Sequence, residues 1–468
     1  MALLSQKLCI SVSLVTFALI CTLVPEITKA QVQQITLNEA VSIALEKSIE
    51  IQQAANNLER SDAAVQSAYG QFLPNLNATM GANRTTGRQF NQATISFDDF
   101  TQNAISGNLG TSVPLFTGWQ NISNLRQART DREAAQTSFE RQREDIIFNT
   151  ASSFLQVILN LELLEIAKDN LETAKKQLEQ VEAQVDVGMR PIVDQFNQEA
   201  EVANNELLVI QRQSQVNTSK VQLIRLLQLD ALQDYEFIVP DISTEAIIPQ
   251  HFELTELIEA ALSNRKDIRA AELQIESAEF ALRSARSGYL PTLSFSASIS
   301  SSYGDQYRLR TPAPGGQGFV TETVGFSDQF FDQRINRGLG FNLSIPIFDR
   351  FQTRTAVTNR QIDLKNSRLA LIDRQSLVFQ EVRQAYEDYV ALTQELATTE
   401  IALRAAEKAF ETQQERYNVG SSTLIELTQA NNAFFQASSQ RVQTIYQFVF
   451  QEKLLDYFLG RITEDVTF

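Results

Sequence analysis

Hydrophobic positions recur with a helical period over most of this chain and give way to strict alternation at four short places. Thr36-Leu37-Asn38-Glu39 has the form of a capping box, and Leu37, Ala40, Val41, Ala44 and Leu45 then share one helical face. The spacing predicts a helix over 37–47 and another over 50–70, with Ile51, Ala54, Leu58, Val65 and Ala68 inward. At Leu73-Pro74 the pattern changes: Leu76, Ala78, Met80 and Ala82 alternate with Asn75, Asn77, Thr79 and Gly81. A polar loop is expected over about 83–99, after which Ile105, Leu109, Val113 and Leu115 alternate with Ser106, Asn108, Gly110 and Ser112. Strands over 73–83 and 103–116, each with one apolar and one small polar face, have the length that crosses a bilayer at a tilt.

From 118 to 187 there is no proline and no glycine after Gly118, which predicts a helix of about 105 Å at the usual rise. Leu171, Ala174, Leu178, Val181 and Val185 form its seven-residue seam. The return helix, 191–229, starts on Pro191 and is expected to use Ala200, Ala203, Leu207, Ile210, Val221 and Ile224 as its seam. Stacked end to end, 50–70 and 191–229 nearly match the long helix, so the simplest packing is one long helix against a composite of two short ones.

The whole plan then repeats. Residues 37–76 aligned with 254–293 without gaps share 13 identities in 40, where chance gives two or three. The predicted second unit has helices over 254–264 and 267–287, strands over 290–300 and 338–348, and helices over 350–418 and 422–460, with a C-terminal tail. Leu403, Ala406, Phe410 and Tyr417 lie in its long seam, with Gln413 as a polar exception. The chain thus divides into a leader (1–30), a first unit (31–229), a linker (230–253) and a second unit (254–468). The tip of the second hairpin, about 301–337, is 15 residues longer than its counterpart, as a surface loop tolerates. Each long pair of helices is joined by a Val-Gly turn, Val187-Gly188 and Val419-Gly420, 232 residues apart. Glycine there supplies the left-handed conformation that closes a helix end.

Composition narrows the functions. Lys7, the apolar run Leu8 to Val24 and Thr28-Lys29-Ala30 read as a secretory leader, with cleavage expected after Ala30. Both cysteines, Cys9 and Cys21, lie in it, so the mature chain is expected to form no disulfide. The net charge is −16, and removing a leader with two lysines and one glutamate leaves −17, which argues against nucleic acid as a partner. His251 is the only histidine, and no Gly-rich phosphate loop is present, so no cofactor, metal or catalytic residue is expected. After Ala30 no continuous apolar run approaches membrane length, so entry into a membrane would be by strands. Four strands cannot close a barrel, and an open edge cannot face lipid, so chains would have to associate until the sheet shuts. Tyr69, Phe72, Phe116 and Trp119, with Tyr289, Phe348 and Phe351 in the second unit, gather at one strand end as an interfacial girdle would.

With these features the chain resembles the TolC-type outer-membrane efflux proteins over essentially all of 31–468. The resemblance rests on the duplicated helix–strand–strand–helix plan, Pro114-Leu115-Phe116 and Pro346-Ile347-Phe348 at the strand ends, and Tyr417-Asn418-Val419-Gly420 followed by Leu424-Ile425-Glu426-Leu427. It implies a mainly α protein with a membrane β-barrel part. A homotrimer would form a 12-stranded barrel continuous with a 12-helix tube, in outer-membrane lipid and the periplasm. A periplasmic adaptor and an inner-membrane pump would dock at the Gly188 and Gly420 tips. The resemblance places an acidic constriction at Glu426, with Asp194 at the matching first-unit position, and puts Gln429 where a second acid is usual. It assigns Tyr417 to a latch whose arginine is replaced by Ser422 here, while Arg190 holds the same offset in the other unit. The alternative on sequence is a secreted periplasmic coiled-coil structural or adaptor protein without a barrel.

Overall fold

A computed structural model describes residues 33–92, 95–238, 249–313, 315–316 and 318–464. The expected leader, 1–30, lies outside these residues, as do 239–248 of the linker and 465–468 of the tail. In chain order the elements are β1 (Gln33–Ile35), α1 (Leu37–Lys47), α2 (Ile49–Gly70), β2 (Asn75–Asn91), β3 (Ser96–Phe116), α3 (Gln120–Asp186), α4 (Ile192–Leu226) and β4 (Tyr235–Phe237). The second unit has α5 (Leu254–Asn264), α6 (Lys266–Arg286), β5 (Thr292–Gly304), β6 (Arg308–Pro312), β7 (Phe319–Thr323), β8 (Asn336–Ser344), α7 (Gln352–Asn418) and α8 (Leu424–Phe458). A single π-helical turn, Gln329–Gln333, lies between β7 and β8.

Helix starts follow local chemistry. The Thr36 hydroxyl accepts from the Glu39 amide while the Glu39 carboxylate takes the Thr36 amide at 2.9 Å. α3 and α7 start differently, on left-handed residues: Gly118 and Trp119 in one unit, Arg350 and Phe351 in the other. A Cβ on Gly118 would meet Leu290 at 2.8 Å and the Ser287 carbonyl at 2.9 Å, so the chain turns there where only glycine fits. Along α3 lie α2 and then α4; along α7 lie α6 and then α8, the composite packing expected from helix lengths.

Two apolar cores hold the middle of the molecule. One gathers Ile35, Leu37, Val41, Phe154, Ile158, Leu223 and Phe237 around α1, α3 and the parallel β1–β4 pair. The other gathers Leu257, Ala261, Val378, Val382, Tyr389, Phe448 and Leu455 from α5, α7 and α8. Beside them, Arg141 binds Asp145 at 2.9 Å and lies 4.2 Å over the Tyr457 ring, and buried Arg265 holds Asp267 at 2.8 Å and Glu381 at 2.6 Å. α3 contains a window of mean hydropathy 1.3, but half of that window is buried inside the protein, as in a core helix.

The strands β2-β3-β5-β8 form one antiparallel sheet with β2 and β8 at its edges. Register puts Leu76, Met80, Leu109, Ile299, Leu339, Phe341 and Leu343 on one face, all exposed, and asparagines, serines and glycines on the other. Two expectations are corrected. The loop over 83–99 is instead a continued hairpin, with Arg84 opposite Asn103 and Phe90 opposite Phe97. Strand 338–348 stops at Ser344, before Pro346, which has no N–H for a ladder. A register shift between Pro114 and Phe116 sets Phe116, not Leu115, opposite Leu293.

The seam of α4 is also corrected. The side chains buried within the protomer are Gln198, Val202, Asn205, Val216, Ser219 and Leu223, whereas Leu207, Ile210 and Val221 are exposed. The helix has two stripes, and the more polar one faces its own chain. Asn205 accepts from Asn170 of α3 at 3.0 Å, and Asn170 accepts from Asn431 of α8 at 2.9 Å, a buried polar layer across three helices.

Candidate functional site: the helical tip

The two helical hairpins end in the same turn. Gly188 and Gly420 both have φ +74°, with amide bonds from Gly188 to Val185 and from Met189 to Gln184. Matching bonds run from Gly420 to Tyr417 and from Ser421 to Arg416. These are Schellman closures, in which a left-handed glycine lets two successive amides reach back to orphan carbonyls. A Cβ at either glycine would meet nothing within 4 Å, so both tips project into open space.

Behind the tips, Val181, Tyr417, Leu424 and Leu427 form a small apolar core, with Val185 and Phe410 packed against it. Tyr417 is only 3% exposed. The Arg190 guanidinium lies 4.2 Å over its ring, within range of a cation–π contact. Arg190 also donates from Nε to Gln184 Oε1 at 2.8 Å and stands 3.5 Å from the Asp194 carboxylate. Three of the expected residues, Arg190, Asp194 and Tyr417, are thus brought into one cluster that bridges the two hairpins. Burial pushes the Tyr417 hydroxyl above its ordinary pKa, with Arg190 opposing and Asp194 adding to the rise.

Glu426 is held apart from that cluster. Its carboxylate accepts from the Ser422 hydroxyl at 2.6 Å and from the Thr423 amide at 3.1 Å, while the Thr423 hydroxyl accepts the Glu426 amide. The Ser422 bond foremost, and the Thr423 amide after it, hold this carboxyl below the usual glutamate range. Ser422 also lies 3.1 Å from Gln413 Oε1, the polar exception in the α7 seam. The family resemblance singled out Glu426, and it was missed that Thr423-Leu424-Ile425-Glu426 is a capping box, a signal the spacing carries. Gln184 was missed as well: the seam pattern marks it only as a surface position. The Gln429 side chain is exposed and makes no hydrogen bond among the described residues. No group of histidine, cysteine or carboxylate side chains that could hold a metal occurs among the described residues.

Comparison with known proteins fits this architecture. The family model for outer membrane efflux proteins matches residues 40–228 and 257–461. The pyoverdine export outer membrane protein OpmQ of Pseudomonas aeruginosa is 25% identical, over 87% of this chain and 81% of its own length. The outer membrane protein TolC of Salmonella enteritidis is 20% identical over 89% of this chain and 80% of its own. The Campylobacter jejuni CmeC outer membrane channel superposes with a TM-score of 0.76 at 16% identity, covering 92% of this chain and 87% of that one. A spacer lacking a channel does not account for a match across both units, and the chain belongs to the outer membrane efflux protein family.

Proposed function

We propose that the protein is the passive exit duct of a tripartite efflux or type I secretion system, gated at its periplasmic tip. The observation that carries this reading is the sheet: four strands, two unpaired edges and one exposed apolar face. Such edges have no partners in hydrocarbon, so the sheet needs copies of itself to close. Three copies give 12 strands and, with α3, α4, α7 and α8 from each, 12 long helices, so barrel and tube share one multiplicity. The exposed stripe on α4 (Leu207, Ile210, Val221) supports the same association, since a coiled-coil helix in a closed ring needs a neighbour on each side. We divide the chain accordingly: leader 1–30, units 31–229 and 254–468, linker 230–253.

At the tip, Arg190, Tyr417 and Asp194 serve as the latch between hairpins, while Glu426 supplies an exposed carboxylate from each subunit to a cation-attracting ring. Gln429 adds no second acidic ring. The open-space glycines, Gly188 and Gly420, are the surfaces offered to a periplasmic adaptor, and through it to an inner-membrane pump that supplies the energy. Nothing in this arrangement calls for a cofactor or for chemistry on the cargo.

Fractionation tests the duct: the mature protein is expected with outer membranes, as an oligomer that separates on heating. Recovery as a water-soluble monomer without detergent overturns it. Single-channel recording tests the ring: Glu426→Gln should lose cation selectivity and cation block, and unchanged values refute that role.

A further inference from the structure

The long tip of the second hairpin is a folded module that docks back onto the apolar face of the sheet. β5 runs four residues past its last partner in β8, which leaves an unpaired edge at Gly304. Gln329, 1% exposed, covers that edge: its Oε1 accepts the Gly304 amide at 3.1 Å, and its Nε2 donates to the Gly304 carbonyl at 3.2 Å and to the Val324 carbonyl at 2.8 Å. The Ser301 hydroxyl donates to the Phe330 carbonyl. The Phe330 ring then lies where a Cβ on Gly107 would be, 2.8 Å from it.

Register identifies the face. Gly107 shares its side of β3 with Ile105 and Leu109, opposite Met80 and Ser301, which is the apolar side. Tyr303, on the same side of β5, packs edge-on against Phe326 at 5.3 Å, and Phe326 stacks on Phe330 at 5.2 Å and meets Phe331 at 6.1 Å. Phe326 and Phe331 remain exposed. Arg337, opposite Ile299, lies on this side too, where its stem can follow apolar surface and its charge reach headgroups.

Just past the opposite end of the strands stand the pairs Phe116–Trp119 and Phe348–Phe351, both edge-to-face, at 5.8 and 5.5 Å. From Leu293, beside Phe116, to Tyr303 there are ten residue steps along β5. At about 3.3 Å each and a tilt near 40°, that is roughly 25 Å of height, the thickness of the apolar band of a membrane barrel. We propose that 326–337 is the outer-leaflet anchor of the barrel, which seats Phe326 and Phe331 at the boundary between acyl chains and headgroups of the lipid. This rests on the barrel reading above, with β-strands in the membrane.

The experiment uses the full mature protein with its one tryptophan replaced, Trp119→Phe, in vesicles whose lipids carry bromine at shallow or deep acyl positions. In this background, tryptophan fluorescence is read from Phe331→Trp and, separately, from the mid-band position Leu339→Trp. Shallow bromines should quench Phe331→Trp more than deep ones, and Leu339→Trp should give the reverse ratio. Quenching of Leu339→Trp with none at Phe331→Trp overturns the anchor and leaves the barrel intact. Quenching at neither overturns the barrel itself. Adding Gly107→Leu should displace Phe330 and lower quenching at Phe331→Trp while the Leu339→Trp ratio stays unchanged; equal quenching at Phe331→Trp refutes the docking.

Discussion

Arg190 and Glu426 are held differently, although both are charged residues a few positions beyond a tip glycine. Arg190 lies over a buried ring contributed by the other hairpin, a contact worth about 1 kcal/mol. On the latch proposed above, Arg190→Ala is expected to loosen the tip and raise single-channel conductance, whereas Tyr417→Phe, which removes a hydroxyl with no partner among the described residues, should change it little. Glu426 is exposed, and its carboxyl is held below its ordinary value of 4.5 by Ser422 and Thr423. A depressed carboxyl contributes its bonds fully above 4.5 and loses them as pH falls through the lower folded value. Cation block should accordingly persist at pH 4.5 and vanish only below it, and Ser422→Ala should move that midpoint upward, as a pH series of bilayer recordings reads. Of the tip, the sequence itself carried the glycines, and the family resemblance carried Tyr417 and the acids. The sequence could not carry the Arg190–Tyr417 contact, because that pair is 227 positions apart and meets only through packing between hairpins.

Among elements, what was legible depended on whether one face meets apolar surroundings. α1 and α5 were read closely because their inner faces are packed by the two central cores. The upper half of the β2–β3 hairpin was read as a loop because polar and small residues occur on both faces of 83–91, so alternation carries no hydrophobic signal. The apolar stripe of α4 was seen, but not which part of it faces outward: Leu207, Ile210 and Val221 point away from the chain, and the buried stripe includes Gln198, Asn205 and Ser219. Leu207→Glu with Ile210→Glu should therefore abolish oligomers in native gels while circular dichroism stays helical. The polar layer makes a separate prediction. Asn170→Leu leaves Asn205 and Asn431 buried without their shared partner and should cost about 1–3 kcal/mol in denaturant unfolding.

At the scale of the molecule, the strand end and the helical tip are joined through a girdle of charge and apolar packing. Burial would raise the Asp267 carboxyl, but Arg265 holds it below its ordinary 3.8, so this ion pair stabilises fully above pH 3.8 and is lost as pH falls through the lowered value. Glu144 behaves oppositely: burial pushes it up despite Arg141 beside it. Removing one partner of the buried set, as in Arg265→Met, leaves Asp267 and Glu381 without their guanidinium, and a loss of about 3–5 kcal/mol is expected in thermal or chemical unfolding. The unpaired margins of β2 and β8 have a genetic consequence. A ring that shuts only when every member contributes a sound margin is vetoed by a single faulty member. In the trimer proposed above, with equal expression of an intact chain and one bearing a proline within β8, random mixing leaves about one ring in eight free of the defect. Such a variant should be dominant over the intact copy in the same cell, where a simple loss of stability would be recessive.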